Sequence, residues 1–162
     1  MLGGMSEPAA PVVAALESLG LPYRVLVHTQ PVRSLEEAAA ARGVEVVDVI
    51  KTLVVRRGDG DYLFVLVPGG RQISWPKLRG LLGVSRLSMP PADEAFTATG
   101  FRRGTITPLG STTAWPVVAD SVVAGRAEIT LGSGAHEVAI ALDATALIAA
   151  VDATVADVTE PE

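Results

Sequence analysis

The stretch "KTLVVRRGDGDYLFVLVP", residues 51–68, constrains the fold more than any other. Two runs rich in β-branched and bulky apolar residues flank "GDGD", whose glycines and aspartates accept the left-handed backbone of a tight turn. That pattern predicts an antiparallel hairpin. A lone hairpin is marginal in water, so further strands or helices must cover it.

The rest of the chain supplies that cover. "PAAPVVAALESLG" has helical spacing and stops at Gly20, and "PYRVLVH" reads as a strand. "SLEEAAAARG" starts at Ser34 with Glu37 three residues on, a capping box, and ends at Gly43. "WPKLRGLLG" predicts a short helix capped by Ser74, "VSRLSM" a brief strand, and "PADEAFTATG" a helix with Pro91 near its start. Strands follow at "WPVVA", "AEITLGSG" and "HEVAIAL", then a helix at "ATALIAAV". Most strand-to-strand links are too short for regular parallel crossovers. The expectation is one α/β (α+β) domain over residues 1–162, with a core at about 10–158, a flexible N-terminus and an acidic C-terminal tail. Its architecture should be a curved mixed β-sheet or a barrel with surrounding helices.

Function classes narrow by subtraction. With no cysteine in 162 residues there is no disulfide, thiolate metal site or protein thiol nucleophile. His28 and His136 are far apart and have no close second ligand, so no zinc spacing exists and no metal or other cofactor is expected. "LGSGAH" lacks the lysine and hydroxyl of a phosphate-binding P-loop, and no G-x-S-x-G elbow is present. "MLGGMSEPAA" lacks the basic-then-apolar plan of a signal peptide, and no apolar run approaches the roughly 20 residues needed to span a bilayer; a cytoplasmic protein is expected.

Charge is more informative in its distribution than in its sum. The net charge of −5 argues against a polyanionic partner, yet residues 1–119 hold 12 basic and 10 acidic residues, and residues 120–162 hold one and eight. A local basic face on an acidic protein can still hold phosphates. Eleven of the 13 basic residues are arginine. Of the two lysines, Lys77 belongs to a surface helix, whereas Lys51 begins a strand among β-branched neighbours. As an edge-strand residue its head would sit in solvent; as a site residue it would be the one anomalous cation of the hairpin.

A second anomaly is the loop "GFRRGTITPLG", residues 100–110. It combines Arg102 and Arg103 with glycines and a proline and carries no acid, histidine or cysteine, so its useful groups are backbone N–H and C=O. Glycine permits close approach of a ligand and proline fixes the chain.

Taken together, "VIKTLVV", "TGFRRGTITPLG" and "ITLGSGAHEVAIAL", with "HTQPVRSLEEAAAARGV" upstream, resemble the YbaK/prolyl-tRNA synthetase-associated domain family over about residues 10–158. The resemblance implies an aminoacyl-tRNA deacylase that hydrolyses the ester of mischarged tRNA as a free-standing trans-editing factor. It implies a small amino acid such as cysteine or alanine, carried on the proline acceptor. Aminoacyl-tRNA is the implied partner, with prolyl-tRNA synthetase as a candidate second one.

Residue by residue, the resemblance puts the family's lysine at Lys51 and its G-x-x-x-P loop at Gly104, Thr105, Ile106, Thr107 and Pro108. Its third motif falls on Gly132, Ser133, Gly134 and His136. Lys51 and Gly104 are the implied catalytic positions. Thr52, Thr105, Ile106, Thr107, Pro108, Gly132, Ser133, Gly134, His136 and His28 are the substrate-binding candidates, and Arg102 and Arg103 the tRNA-phosphate candidates. Thr52 stands where an alanine-editing branch has asparagine, nearer the cysteine-editing pattern. Thr105 stands where many relatives have a second glycine. The amino acid removed stays open between these branches.

That chemistry suits those residues. Pre-aimed backbone N–H groups stabilise an oxyanion without a titrating side chain. Lys51 can grip a phosphate or orient the ester as a cation, or act as a base when neutral; the cationic role is favoured. The competing readings are a non-catalytic binding module for tRNA ends or aminoacyl-adenylate-like ligands, and a module that docks on a synthetase.

Overall fold

The strand formed by "YLFVLV", buried on both faces, organises the molecule. The structure, a computed structural model, describes residues 7–162; the flexible N-terminus and most of the leader reading fall on residues 1–6, outside the described residues. Strands β2 (Lys51–Gly58) and β3 (Asp61–Val67) form the hairpin, with Lys51 opposite Val67 and Val54 opposite Phe64. Three further strands in chain order matter here: β1 (Arg24–Val27), which precedes the hairpin, β4 (Arg71–Ile73) and β5 (Val117–Asp120). They are followed by β6 (Glu128–Gly132), β7 (Val138–Asp143), β8 (Thr154–Ala156) and β9 (Thr159–Pro161).

These strands make three sheets, ordered β1-β7-β6, β2-β3-β5-β8 and β4-β9. The four-stranded sheet is mixed, because β5 runs parallel to both β3 and β8. One face of it, carrying Val54, Phe64 and Leu66, packs against Ile129, Leu131 and Ile140 of the three-stranded sheet. The other face, carrying Val55, Leu63 and Val65, packs on Ile73, Leu78 and Val158. Residues 62–67 are therefore all buried, and the strand needs no polar alternation.

The sheets do not close into a barrel. Edge strands β2 and β6 converge, but they meet only at the Val49–Thr130 bridge, where the Ile50 N–H donates to the Thr130 carbonyl at 2.8 Å. The mixed-sheet expectation therefore holds and its barrel alternative does not.

Among the described residues, six α-helices cover the sheets: α1 (Ala10–Ser18), α2 (Leu35–Arg42), α3 (Trp75–Leu82), α4 (Ala92–Thr99), α5 (Ser121–Ala124) and α6 (Ala144–Ala150). Their ends follow the capping residues in the sequence. Ser34 and Ser74 accept from the Glu37 and Lys77 amides, and Gly43 and Gly83 close their helices in the left-handed conformation. The reciprocal half of the Ser34 box is displaced by one residue: the Glu37 carboxylate accepts from the Arg33 amide at 3.2 Å.

Two expectations are corrected. "VSRLSM" is not a strand: only Ser88 pairs, in a single bridge to Arg56, because Arg56 lies near the end of β2. The acidic C-terminus is not a free tail. Buried Asp120 accepts from the Val122 and Val158 amides and holds the turn between β8 and β9. Lys77 donates to Asp157 at 3.0 Å and to the Thr159 carbonyl at 2.9 Å, clamping β9 beside β4. Three-residue strands carry too little periodicity to be read in sequence. No helix among the described residues is long and apolar enough to cross a membrane.

Candidate active site

Where β2 and β6 diverge below the Val49–Thr130 bridge, the edge of β2 is left uncovered along a cavity of about 640 Å³. That volume lies in the range of roughly 300–1,000 Å³ usual for small-molecule sites. One wall is the start of β2, from Val49 to Val54; opposite it stand Arg103, Gly104 and Ile106. Gly132, Ala135 and Glu137 form the floor at the β6–β7 connection, and Met89 to Ala92 form a rim before α4. His28, Arg42, Ala95 and Val138 complete the lining.

Lys51 and Gly104 therefore share one cavity. Lys51 lies on the face of β2 that also presents Leu53 and Val55, because side chains alternate along a strand. Its ammonium donates to the Arg71 carbonyl at 2.9 Å and to the Glu162 carboxylate at 3.4 Å. Two of its three hydrogens are thus engaged, by groups that do not themselves line the cavity. Thr52 lies on the opposite face, and its hydroxyl is buried without a hydrogen-bond partner.

The 104–108 loop earns its rigidity from alternate threonines. Thr105 and Thr107 are buried, Thr105 donating to the Arg102 carbonyl at 2.7 Å and Thr107 accepting from the Leu109 amide at 3.2 Å. The Thr105 carbonyl accepts from the Gly134 amide at 2.9 Å, which ties the loop to the β6–β7 connection. Gly104 has φ +88°, a conformation glycine adopts without strain. Among the described residues, the Gly104 and Ile106 amides donate to no protein group, and both residues line the cavity. Two amides without a protein acceptor thus belong to residues that border the cavity.

Gly132 is required for a different reason. A Cβ there would lie 2.7 Å from the Ile106 carbonyl oxygen and 2.9 Å from that of Thr105, so only glycine lets the loop close onto β6.

The structure gathers Lys51, Thr52, Arg103, Gly104, Ile106, Gly132 and His28 around the cavity. It leaves the other sequence candidates outside the lining. Thr105, Thr107 and Ser133 are buried; the Ser133 hydroxyl donates to the Val138 carbonyl at 2.6 Å. Pro108 and Gly134 are half-buried outside the lining, and His136 is exposed between the two lining residues Ala135 and Glu137. Arg102 lies 4.6 Å above the Phe96 ring on the surface, rather than in the cavity. Trp115 donates to the Ala98 carbonyl at 2.8 Å and meets Tyr62 edge-on, which is a packing role.

Sequence reasoning passed over Arg42. It ends a helix in the usual place for a basic residue, and nothing local shows that it reaches the cavity. Its Nε donates to His28 Nε2 at 3.2 Å and its Nη1 to the Thr130 hydroxyl at 2.9 Å. Burial, and then the Arg42 charge, hold the His28 imidazole below its ordinary value of 6.5. Neutral His28 therefore presents Nε2 as an acceptor and keeps its proton on Nδ1. Among the described residues, no three histidine, aspartate or glutamate side chains gather in a way that could hold a metal ion.

Comparison with known proteins bears directly on this site. Residues 29–150, which include every polar lining residue except His28, match the aminoacyl-tRNA editing domain. The proline–tRNA ligase of Thermosipho melanesiensis is 39% identical over 87 residues, covering 54% of this chain and 15% of the ligase. That of Trichlorobacter lovleyi is 32% identical over 107 residues, 66% of this chain and 19% of the ligase. The chain thus spans less than a fifth of these curated relatives. Among solved structures, a proposed trans-editing enzyme for prolyl-tRNA synthetase superposes with a TM-score of 0.84 at 30% identity. It covers 93% of this chain and 95% of its own. A hypothetical protein of the same fold gives 0.84 at 28% identity, covering 93% and 99%.

Proposed function

Because the chain belongs to the aminoacyl-tRNA editing domain family, we propose that its cavity hydrolyses the ester linking a small amino acid, such as cysteine or alanine, to tRNA. The proline acceptor is the proposed tRNA, since both ligases described above act on proline and its tRNA. A trans-acting role is proposed by analogy with the proposed trans-editing enzyme, which shares this fold with a TM-score of 0.84 at 30% identity.

The observation that carries this reading is the meeting of Lys51 with the unengaged amides of Gly104 and Ile106 around one cavity. In the reaction, water attacks the ester carbonyl and the carbonyl oxygen gains negative charge. The two amides, which have no protein acceptor among the described residues to give up, receive that charge as donors of an oxyanion hole. The carbon–oxygen bond to the ribose then breaks. The ribose oxygen takes up the proton that the attacking water gives up, and the free amino acid leaves. Lys51, fixed by the Arg71 carbonyl and Glu162, acts as a cation that orients the ester. The buried Thr52 hydroxyl and the Ile106 and Val138 side chains bound the acyl end. Restricting the size of that space supplies a second sieve where a synthetase separates neighbours by only about 10–200-fold.

The direct test is incubation of the purified protein with alanyl-, cysteinyl- and seryl-tRNA prepared on the proline acceptor. Release of at least one amino acid well above the spontaneous rate is expected. Binding of all three without any release would replace this reading by the non-catalytic one.

A further inference from the structure

Of the eleven arginines, four bond a carboxylate; Arg33, Arg86, Arg102 and Arg103 do not and are exposed, and half-buried Arg79 lies on α3 outside the cavity lining. Arg24, Arg56, Arg57 and Arg126 each bond a carboxylate. Arg71 has none, but its Nη2 is spent on the Thr159 carbonyl of β9, a structural tie. Arg42 is half-buried in the cavity wall and has only neutral partners, the His28 ring and the Thr130 hydroxyl. No carboxylate among the described residues lies within 4.0 Å of it, although Glu137 lines the same cavity.

A guanidinium keeps its charge at any physiological pH, and withdrawing it from water without an anion is costly. The two bonds to His28 and Thr130 use two of its five N–H groups and fix the plane of the fork. Thr130 is itself fully buried and anchored at the β2–β6 bridge, so this fork is held in place by the seam between the sheets. The remaining N–H groups are a pre-oriented, uncompensated set of donors in a site that also presents Lys51 and Arg103. Such a set fits an oxyanion with two acceptor oxygens.

We propose that Arg42 is the anion anchor of the cavity and holds the phosphate attached to the terminal adenosine of the acceptor strand. The identity of that phosphate rests on the deacylase reading; the anion site itself does not. Phosphate is favoured over a carboxylate on the acyl group because three cations from three separate segments, Arg42, Lys51 and Arg103, line the cavity, which suits a ligand carrying backbone charge. His28 is the positioning residue: as a neutral acceptor it holds Nε of the fork.

The test is equilibrium binding of adenosine 5′-monophosphate, adenosine and free glutamate to the wild-type protein, Arg42→Gln and Arg42→Lys, each checked by thermal melting. The wild type should bind the monophosphate at least about tenfold more tightly than adenosine, as expected for charged hydrogen bonds. Arg42→Gln should bring the two affinities together by weakening the monophosphate alone, and Arg42→Lys should fall between. Should Arg42→Gln not fold, Arg42→Lys decides, because it keeps the charge and loses the fork. An unchanged preference in the variants overturns the proposal, as does a wild type with no preference. If glutamate instead depends on Arg42 and the monophosphate does not, the phosphate assignment fails in favour of an acyl carboxylate. Deacylation is followed in parallel. Loss of the monophosphate preference in a protein that hydrolyses nothing leaves the anion site and removes the deacylase reading, whereas hydrolysis with an unmoved preference does the reverse.

Discussion

Gly132→Ala isolates the contact that presses the 104–108 loop onto the end of β6. Gly132 is not in the left-handed region, so alanine is acceptable to its backbone and the cost is contact alone. The new Cβ would meet the Ile106 carbonyl oxygen at 2.7 Å, where ordinary contact begins at 3.4 Å, so the loop must retreat by about 0.7 Å. The obstructing atoms are backbone, and no rotamer change relieves them. Overpacking of this kind costs about 1–3 kcal/mol, and each kcal/mol lowers Tm by roughly 2–4 °C in a chain of this size. Activity should suffer more, because Gly104 and Ile106 ride on the displaced loop and a shift approaching 1 Å can cost about a hundredfold. Thermal melting and single-turnover deacylation, measured well below both melting temperatures, separate the two effects. Gly134→Ala is the comparator. Its Cβ would meet Ala9 at 2.7 Å and Phe101 at 2.8 Å, and its φ of +79° adds strain, yet it does not line the cavity. It should lose stability with a smaller fractional loss of rate. A Gly132→Ala protein that deacylates at the wild-type rate would refute the reasoning.

Two further outcomes follow from the same structure. The His28 imidazole should titrate below 6.5 by NMR and move upward in Arg42→Gln; a wild-type midpoint at or above 6.5 contradicts the burial and the Arg42 contact. Since its folded value is depressed, the unfolded chain takes up the proton first. The stability His28 contributes should be complete above 6.5 and decline as pH falls from there towards the folded value. Asp120→Ala should remove the acceptors of two amides, Val122 and Val158, at about 1–3 kcal/mol for each group left unpaired. Denaturant unfolding measures this, and a loss below that of a surface substitution would contradict the clamp on β8 and β9.

Much of this arrangement is legible in the sequence because local signals and tertiary demands agree. The hairpin at residues 51–67, the serine caps of α2 and α3 and the glycine stops each declare themselves within a few residues. Lys51 and Gly104 stand out for what surrounds them, β-branched residues in one case and a loop of backbone donors in the other. What escapes is non-local. The C-terminal strands β8 and β9 are three residues each and exist because Asp120, Lys77 and β4 receive them. Arg42 looks like an ordinary basic helix end until β6 places Thr130 beside it. Thr105, Thr107 and Ser133 carry motif positions, yet their hydroxyls serve the backbone and shape the cavity from behind.

The most direct measurement of the central claim is single-turnover deacylation by Lys51→Ala beside the wild type, with the melting temperature of each recorded. Lys51 and Glu162 are 35% and 52% exposed in their side chains, so their ion pair adds little to stability and the variant should melt close to the wild type. Hydrolysis of the preferred ester should fall by about a hundredfold or more, the scale of losing one electrostatic contact to the transition state. A folded Lys51→Ala protein that cleaves the ester at the wild-type rate would contradict a catalytic site at this cavity.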